Sequence, residues 1–531
     1  MRAPPRLRRD LLLAAAPLAF LLVVLVAPAL RLLAEGVWGA GATPHSATGA
    51  AGIWAPWMDP YLRWRLLWSL AQAAITCGLA LLLGLPMAWV LARLEFPGRR
   101  WLLRSLMLPF VVPTLVAAMG VLAVLGPSGL LVQMGGPDLQ GTPWLLLYGN
   151  LFFNLCVVVR AGVDGLGQVS AARVAAARTL GATPWRAFWR VEWPAVVPWL
   201  ASALCLVFLY CFAGFGLALV LGGQRYATAE VEIYTLVAYE LQLQQAGVLA
   251  MWVVGLTGLV ALAYAAIERT LASPARPDRV PRVVAQRSAH YLAVAAVVLL
   301  WMLICALPLI AIARGALFSG AEAWAVLVEE DTLVALWNTA RFTAVALLLA
   351  TFLGVTHALA AQRWLWLRAL VFLPFVVSPV MVAFGLLLLY PQYSGSFLVL
   401  AAAYALLAYP FVAKSVAAAL DSLPLHYLDA ARSLGASPWR VFRRVTLPWL
   451  APALRRGMAF AAATAVGEFA VTLFLSRPEW ATLTTLIYQH LGRPGATNRD
   501  AALVLACVLM ALALLAFALI ETTPDEDLDH A

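Results

Sequence analysis

The feature that most constrains this chain is a series of mostly apolar runs, each about 20 residues or longer, along its whole length. Such a run is long enough to cross a bilayer as a helix, and inside lipid only helices and closed barrels satisfy all backbone polar groups. Apolar residues make up 63% of the chain and charged residues 12%, against roughly half and a quarter in a soluble domain. The sequence therefore predicts an all-α integral membrane protein with about twelve transmembrane helices. The predicted spans are residues 11–33, 66–92, 103–126, 144–163, 194–221, 245–267, 290–316, 333–360, 367–390, 396–419, 448–476 and 500–521.

The positive charges of the chain lie between these apolar runs. A formal net charge of +10 can indicate nucleic-acid binding, but the arginines form short clusters and no basic domain, so no nucleic-acid partner is expected. Arg and Lys gather on the cytoplasmic side of membrane spans. Clusters such as Arg8-Arg9, Arg99-Arg100 and Arg443-Arg444 therefore predict a multi-pass protein with both termini in the cytoplasm.

An internal repeat divides the chain into two homologous halves. Residues 177–194 align without a gap to residues 431–448, with twelve of eighteen positions identical. Leu108–Gly120 matches Leu373–Gly385 in the same way. Because the copies run parallel, an axis along the membrane normal should relate the halves. The predicted organisation is a first half of about six spans (1–271), a cytoplasmic linker (272–288) and a second half of about six spans (289–531).

Each copy of the main repeat carries signals for a sharp turn between two helices. Gly181 and Gly435 can end a helix with positive φ, and the prolines at 184 and 438 suit the first turn of a new helix. Both copies therefore predict a helix–turn–helix elbow on the cytoplasmic face. Amphipathic helices whose arginines contact lipid headgroups are the alternative, but duplication at matching positions favours a docking role.

The two loops resemble the E-A-A…G motif of binding-protein-dependent ATP-binding-cassette importers, in which the elbow, or coupling helix, docks into the ATPase subunit. The second copy has Asp429 at the acidic position, whereas the first has Ala175 there. The resemblance implies type I importer permease halves and two unequal ATPase contacts. The coupling residues that it implies are Arg178, Leu180, Gly181 and Pro184 in the first loop (172–194), and Asp429, Ala430, Ala431, Arg432, Leu434, Gly435 and Pro438 in the second (426–448).

Further stretches are similar to the thiamine/thiamine pyrophosphate permeases of this family, among them Val191–Pro194 and Ala465–Phe469. The resemblance implies import of thiamine or its phosphate esters by alternating access across a Gram-negative inner membrane. The implied partners are a periplasmic binding protein, two copies of a separate cytoplasmic ATPase, the lipid bilayer and a thiamine-type small molecule. An iron(III) importer permease, which also has fused halves, is the alternative.

The sequence contains no loop of the G-x-x-x-x-G-K-[ST] type that could cradle nucleotide phosphates, and its one lysine, Lys414, lies in an apolar span. The chain is therefore predicted to be non-catalytic, with ATP and Mg²⁺ bound by the partner ATPase and no cofactor of its own. The six cysteines show no metal-binding spacing, so no metal site is expected. An ion-coupled secondary transporter, the more distant alternative, would need carboxylates in several spans, and nearly all are missing.

Glu468 is the strongest candidate for a substrate contact, because an ionisable group inside a span is costly and usually functional. Next to Phe469, its carboxylate could attract a cationic thiazolium, and Phe215 occupies the matching position in the first half. A purely structural role for Glu468 is the alternative. Glu230 and Glu232 are expected in an outside loop, where they could contact the binding protein or simply be solvated.

Overall fold

The computed structural model describes residues 5–38, 50–271, 280–475 and 477–520. Part of the predicted linker (272–279) and the chain ends beyond these ranges lie outside the described residues. Helices dominate both halves. In the first half they are α1 (Pro5–Leu21), α2 (Ala27–Trp38), α3 (Ala50–Ile53), α4 (Ala55–Met58), α5 (Pro60–Arg93), α6 (Arg99–Ser105), α7 (Leu108–Val111), α8 (Thr114–Leu125), α9 (Leu130–Gln133), α10 (Pro143–Gly167), α11 (Ala171–Thr179), α12 (Pro184–Ala187), α13 (Trp193–Phe212), α14 (Gly216–Leu221), α15 (Ala229–Ala238) and α16 (Leu243–Leu271).

The second half repeats this order from α5 onward, without a counterpart of α9 among the described residues. Its helices are α17 (Ser288–Trp301), α18 (Leu307–Phe318), α19 (Ala321–Ala325), α20 (Glu330–Ala361), α21 (Leu365–Leu370), α22 (Leu373–Val376), α23 (Pro379–Leu389), α24 (Phe397–Ser422), α25 (Leu425–Ser433), α26 (Pro438–Val441), α27 (Leu447–Val466), α28 (Ala470–Leu475), α29 (Leu483–Gly492) and α30 (Ala496–Ile520). Two 3₁₀ turns (Val326–Val328 and Pro478–Trp480) complete it.

Four π-helical segments occur at matching places in the two halves. They are Leu22–Val26 and Met302–Ala306 in the first span of each half, and Phe188–Glu192 and Phe442–Thr446 after each elbow. Each segment ends two residues before a proline in a helix that continues. A proline ring clashes with the carbonyl four residues earlier in an α-helix, and a wider turn relieves that clash. The sequence therefore keeps these four helices continuous through a proline.

The number of membrane-crossing helices differs from the twelve expected. Among the described residues, ten helices are long and apolar enough to cross a membrane, or eleven if one bent pair counts as a span. That pair, Trp366–Val376 and Pro379–Leu389, bends by 91°. The expected span 448–476 is not among the ten: α27 carries Arg455 and Arg456, and it ends at Val466 before the break that leads to α28.

Breaks also interrupt the expected spans 103–126, 367–390 and 194–221. Val112 and Val377 have extended backbone, which separates α7 from α8 and α22 from α23. Val112 precedes Pro113, and a residue before proline is pushed out of the helical region. In the first half Ala213–Phe215 separate α13 from α14. These breaks place non-helical backbone inside the bundle, where protein rather than lipid surrounds it.

The first span of each half packs on the other half. Helix α2 contacts α23 as well as α16, and α18 contacts α8 as well as α30. Tyr390 donates a hydrogen bond to the carbonyl of Val23 (3.2 Å), and Tyr148 donates one to the carbonyl of Leu303. Both acceptors lie in π-helical segments, whose wider turns leave carbonyls available to other donors. Because the first span of each half packs on the other half, these contacts hold the two halves together as one bundle.

A small parallel sheet joins the linker to the first half. Strand β1 (Leu94–Glu95) follows α5 directly, and β2 (Val283–Val284) lies in the described part of the linker. Ala285 N donates to the carbonyl of Glu95 at 3.0 Å, and Arg282 forms an ion pair with the Glu95 carboxylate at 3.4 Å. The linker therefore rests on the segment that follows α5.

Candidate functional site: two elbows and a central cavity

The first elbow consists of α11, a tight turn at Gly181, and α12. Gly181 has φ +82°, which an L-residue with a side chain rarely adopts. Its N–H donates to the carbonyl of Arg178, and the N–H of Ala182 donates to that of Ala177, both at 3.0 Å. This pair of bonds is a Schellman motif, which satisfies the last carbonyls of α11. Pro184 then occupies the first turn of α12.

The second elbow, α25 and α26, repeats the same backbone. Gly435 has φ +74°, and its N–H donates to the carbonyl of Arg432 at 2.9 Å. The N–H of Ala436 donates to the carbonyl of Ala431 at 3.1 Å, and Pro438 begins α26. The expected helix–turn–helix is therefore present in both copies.

Large apolar side chains project from the tips of the elbows. Leu180 and Leu434, which precede the two glycines, are each 88% exposed. Trp185 and Trp439, in the second helix of each elbow, are 69% and 64% exposed. Apolar groups repeated at equivalent exposed positions are typical of a surface that contacts a partner.

The elbows differ in charge. In the second elbow Arg432 and Asp429 form an exposed ion pair at 3.3 Å, and Ala430 lies between them. The equivalent of Asp429 in the first elbow is Ala175, which offers Arg178 no carboxylate. The sequence difference is therefore a difference in the exposed charge of two otherwise matching surfaces.

A cavity of about 310 Å³ lies between the two halves. Pockets for small molecules have volumes of about 300–1,000 Å³. Glu468, Phe469 and Phe215 all line this cavity, so the structure brings the predicted substrate-path residues together. Its aromatic lining residues are Phe110, Phe153, Tyr210, Phe215, Phe375, Phe411 and Phe469.

Glu468 lies in the break between α27 and α28 rather than within a continuous span. One carboxylate oxygen, Oε1, accepts a hydrogen bond from the N–H of Val471 at 2.9 Å, which caps the first turn of α28. Its backbone carbonyl accepts a bond from the Thr484 hydroxyl at 2.8 Å. Glu468 is 8% exposed. Because Glu468 lies in this break, its side chain can cap α28 and line the cavity at the same time.

Phe215 and Phe469 stack across the interface between the halves. Their ring centroids are 6.1 Å apart with an interplanar angle of 25°. Each ring also contacts a tyrosine of its own half at 5.4 Å, Tyr234 for Phe215 and Tyr488 for Phe469. Near this stack the backbones approach closely, since a Cβ on Gly467 would lie 3.0 Å from Cα of Pro113. The halves therefore close tightly around the two rings.

A second cavity, of about 630 Å³, lies next to the first on the side of the elbows. Arg160, Asp164 and Glu268 line it, and Asp164 is within one turn of the end of α10, just before the first elbow. The two cavities share Phe110, whose ring contacts those of Phe411 at 6.5 Å and Phe460 at 6.1 Å. An aromatic cluster thus divides an inner vestibule from the central cavity.

The chain matches a known protein family. The family model described as binding-protein-dependent transport system inner membrane component matches residues 80–272 and 346–521, so it occurs twice in the chain. The chain belongs to this family. Membership makes it a non-catalytic permease of an ATP-binding-cassette transporter, and each match includes one elbow.

Relatives of this permease include both fused and half-length proteins. The thiamine transport system permease protein ThiP of Haemophilus influenzae is 28% identical over 92% of this chain and 94% of that protein. ThiP of Escherichia coli strain K12 is also 28% identical, over 88% of this chain and 90% of that protein. The molybdenum transport system permease protein ModB of Mycobacterium bovis is 32% identical over 44% of this chain and 85% of its own length. A single half is thus similar to a complete relative.

Two acidic residues of this permease lie elsewhere than expected. Glu230 and Glu232 are buried in α15 and are not solvated loop charges. Glu232 forms an ion pair with Arg65 at 3.1 Å, and Glu230 accepts a hydrogen bond from the Ser378 hydroxyl at 2.7 Å. A hydroxyl residue, Thr228, followed by two acids and an apolar run (AEVEIYTLVA) is typical of a helix start, and this signal could have indicated a helix here. Direct contact of either acid with a binding protein is incompatible with this burial.

Proposed function

We propose that this permease imports thiamine or its phosphate esters into the cytoplasm. The observation that carries the proposal is the lining of the inter-half cavity, in which the Glu468 carboxylate lies beside stacked aromatic rings. Thiamine carries a quaternary thiazolium, a cation that a carboxylate attracts and that aromatic faces bind through cation–π contact. The fused ThiP relatives, similar over nearly the whole chain, support the same substrate. No observation in the described residues favours the iron(III) alternative.

In this proposal the chain lies in a bacterial inner membrane with both termini in the cytoplasm. The halves are residues 1–271 and 289–531, joined by the linker 272–288. Each elbow binds one copy of a cytoplasmic ATPase, and a periplasmic binding protein delivers the substrate. The matching backbones and exposed tips of the elbows support two similar contacts. The coupling residues are those named for the two loops: Arg178, Leu180, Gly181 and Pro184, and Asp429 to Arg432, Leu434, Gly435 and Pro438.

The mechanism follows from the order of the cavities. The stacked rings and the close backbones at Gly467 and Pro113 close one side of the central cavity, and the aromatic cluster around Phe110 separates its other side from the inner vestibule. When the ATPase subunits close, they move the elbows towards each other. The elbows continue into α13 and α27, which reach the Phe215 and Glu468 breaks. Movement at the elbows is thereby passed to the residues that line the substrate path.

Reconstitution tests the proposal. Vesicles that contain this chain, its ATPase and its binding protein should accumulate labelled thiamine when ATP is added. Vesicles with an ATPase unable to hydrolyse ATP are the control. Absence of ATP-dependent thiamine accumulation by the intact complex would contradict the proposal.

A substitution at Glu468 tests the cation contact. Glu468→Gln retains an oxygen that can accept from Val471 N–H, so α28 stays capped, but it removes the charge. We expect the KM for thiamine uptake to rise about tenfold, since an ion–cation contact with cation–π support is worth about 1–2 kcal/mol. Glu468→Asp retains the charge and is the matched comparison. An unchanged KM in Glu468→Gln would assign Glu468 a purely structural role.

A further inference from the structure

Glu230 is a carboxyl group buried behind the wall of the central cavity. It is the second residue of α15 and is fully buried. Its Oε2 accepts a hydrogen bond from the hydroxyl of Ser378, which belongs to the other half, at 2.7 Å. Its Oε1 has no partner among the described residues. The carboxyl therefore depends on a single side-chain contact across the interface between the halves.

A buried carboxyl group with one unpaired oxygen destabilises the fold, so a purely structural role would not favour it. An unpaired polar oxygen in a buried site is destabilising, and more so if the group is charged. The N-terminal end of α15 favours a negative charge there, but a smaller hydroxyl could fill the same role at lower cost. The second half shows this, since the equivalent of Glu230 is Thr484, whose hydroxyl donates to a backbone carbonyl at 2.8 Å. Stability alone therefore does not account for the acid at position 230.

The hydrogen bonds of Ser378 determine what this residue can offer to a ligand. Its hydroxyl has one donor and two acceptor positions. The donor is used by Glu230, and one acceptor position is used by the N–H of Met381 at 3.2 Å, which caps α23. Ser378 also lines the central cavity. What remains for a ligand is one acceptor position and no donor.

The two halves thus contribute acids at different, non-equivalent places. In the second half Glu468 lines the cavity, and its equivalent in the first half is Gly214. In the first half Glu230 lies behind the wall, and its equivalent is Thr484. The cavity therefore presents a carboxylate from one half and an oriented hydroxyl acceptor, Ser378, that is held by an acid of the other half.

We propose that Glu230 is a positioning residue for substrate specificity, which fixes the Ser378 hydroxyl as a hydrogen-bond acceptor for an N–H donor of the substrate. The substrate class is a small molecule that combines a cationic group, bound beside Glu468, with an amino group, bound by Ser378. Thiamine has both, in its thiazolium and its aminopyrimidine, and this inference rests on the proposed function.

The test compares thiamine with oxythiamine, in which an oxygen replaces the amino group of the pyrimidine. Uptake of each labelled compound is measured in vesicles that contain the complete complex, and the ratio of their kcat/KM values is determined for each variant. The binding protein is the same in every sample, so its own preference cancels when variants are compared. A purely structural role for Glu230 would lower both uptake rates and leave the ratio unchanged.

Glu230→Leu is the decisive variant. Leucine is close to glutamate in size but cannot accept a hydrogen bond, so the hydroxyl proton of Ser378 becomes free to turn into the cavity, where it would favour the oxygen of oxythiamine. We expect the thiamine-to-oxythiamine ratio to fall about tenfold, the effect of one hydrogen bond to a built acceptor. An unchanged ratio in this variant, together with normal accumulation of thiamine by the wild-type complex, would overturn the inference and leave the proposed function intact.

Variants of Ser378 keep the test decisive if Glu230→Leu does not fold. Ser378→Ala removes the acceptor and should lower the ratio, whereas Ser378→Thr keeps both the hydroxyl and the helix cap and should preserve it. Thr484→Val, at the position equivalent to Glu230, is the control for disturbed packing and should leave the ratio unchanged. A ratio that is the same in Ser378→Ala as in the wild type would also overturn the inference. Failure of the wild type to accumulate thiamine would instead contradict the proposed function.

Discussion

In the first half a largely buried ion pair joins the segment after the elbow to α5, whereas in the second half a partly exposed ion pair joins the helix before the elbow to α21. Glu192, just after the first elbow, bonds to Arg93 at the end of α5 at 2.6 Å, and both side chains are largely buried. Asp421, just before the second elbow, bonds to Arg368 at 2.7 Å and to Gln362 at 3.0 Å, and it is nearly half exposed. The two halves thus attach their elbows differently, although the turn of the elbow itself is the same in both.

The duplication preserved the turn of the elbow but not the charged contacts that attach it to neighbouring helices. The turn depends on a glycine with positive φ, a hydroxyl cap and a proline, and both copies have all three. The charged attachments differ: Glu192 corresponds to the uncharged Thr446, and the exposed pair before the first elbow lies within α10, between Arg160 and Asp164 at 3.4 Å. Backbone geometry tolerates few residues at these positions, whereas a helix can be attached to its neighbour by many different pairs.

The largest expected effect is on transport, from bulky substitutions at the two glycines. Gly181→Glu and Gly435→Glu impose a similar backbone strain, about 1–2 kcal/mol, because both positions have positive φ and open space around them. A difference in transport then reports on docking. We expect Gly435→Glu to reduce thiamine uptake at least tenfold and Gly181→Glu to reduce it less, because the second elbow alone carries the acidic residue. Equal losses at matched expression would show that the two contacts are equivalent.

The next effect is on stability, from breaking the two attachments. Glu192→Gln leaves Arg93 largely buried without its counter-ion, which should lower the free energy of unfolding by about 3 kcal/mol. Asp421→Asn breaks an exposed pair and should cost less than about 1 kcal/mol. Thermal unfolding of the purified complex in detergent measures both. If the double variant Arg93→Met/Glu192→Leu were as unstable as Glu192→Gln, the loss would not come from the unpaired arginine.

A smaller effect is expected from the exposed pair of the second elbow. Asp429→Ala should leave thermal stability within about 0.5 kcal/mol, because the pair with Arg432 is solvent-exposed. It should nevertheless weaken capture of the ATPase in a pull-down about threefold, the effect of a modest charged contact at an interface. Ala175→Asp introduces the acid into the first elbow and should strengthen capture. If ATPase capture changed in the opposite directions, or did not change in either variant, the acidic residue would not be the cause of the difference between the two elbows.

The smallest expected difference is the one between the two helix caps, and it tests whether the turns are equivalent. Thr183 Oγ1 accepts from Arg186 N at 3.3 Å, and Ser437 Oγ accepts from Arg440 N at 3.4 Å. Replacing either cap by alanine should cost about 1 kcal/mol of local helix stability. Hydrogen exchange of the elbow amides should increase equally in Thr183→Ala and Ser437→Ala. A marked difference between them would show that the neighbouring attachments also stabilise the turn.

The sequence by itself determined the features that depend on short-range signals. Apolar runs identified most of the membrane helices, the gapless repeat identified the halves, and Gly181, Gly435 and the prolines beyond them identified both elbows. These signals suffice because a helix end or a membrane span is decided by a few adjacent residues and by the lipid around them.

Only the tertiary structure decided which of these residues meet. It broke several expected spans at residues such as Val112 and Val377, placed Glu468 in a gap between helices, and stacked Phe215 on Phe469 across the halves. It also buried Glu230 against Ser378, some 150 residues away in the chain. A single apolar segment does not specify its partner in the bundle, since lipid and protein are similarly apolar surroundings. The contacts that form the cavity therefore arise from the packing of one half against the other.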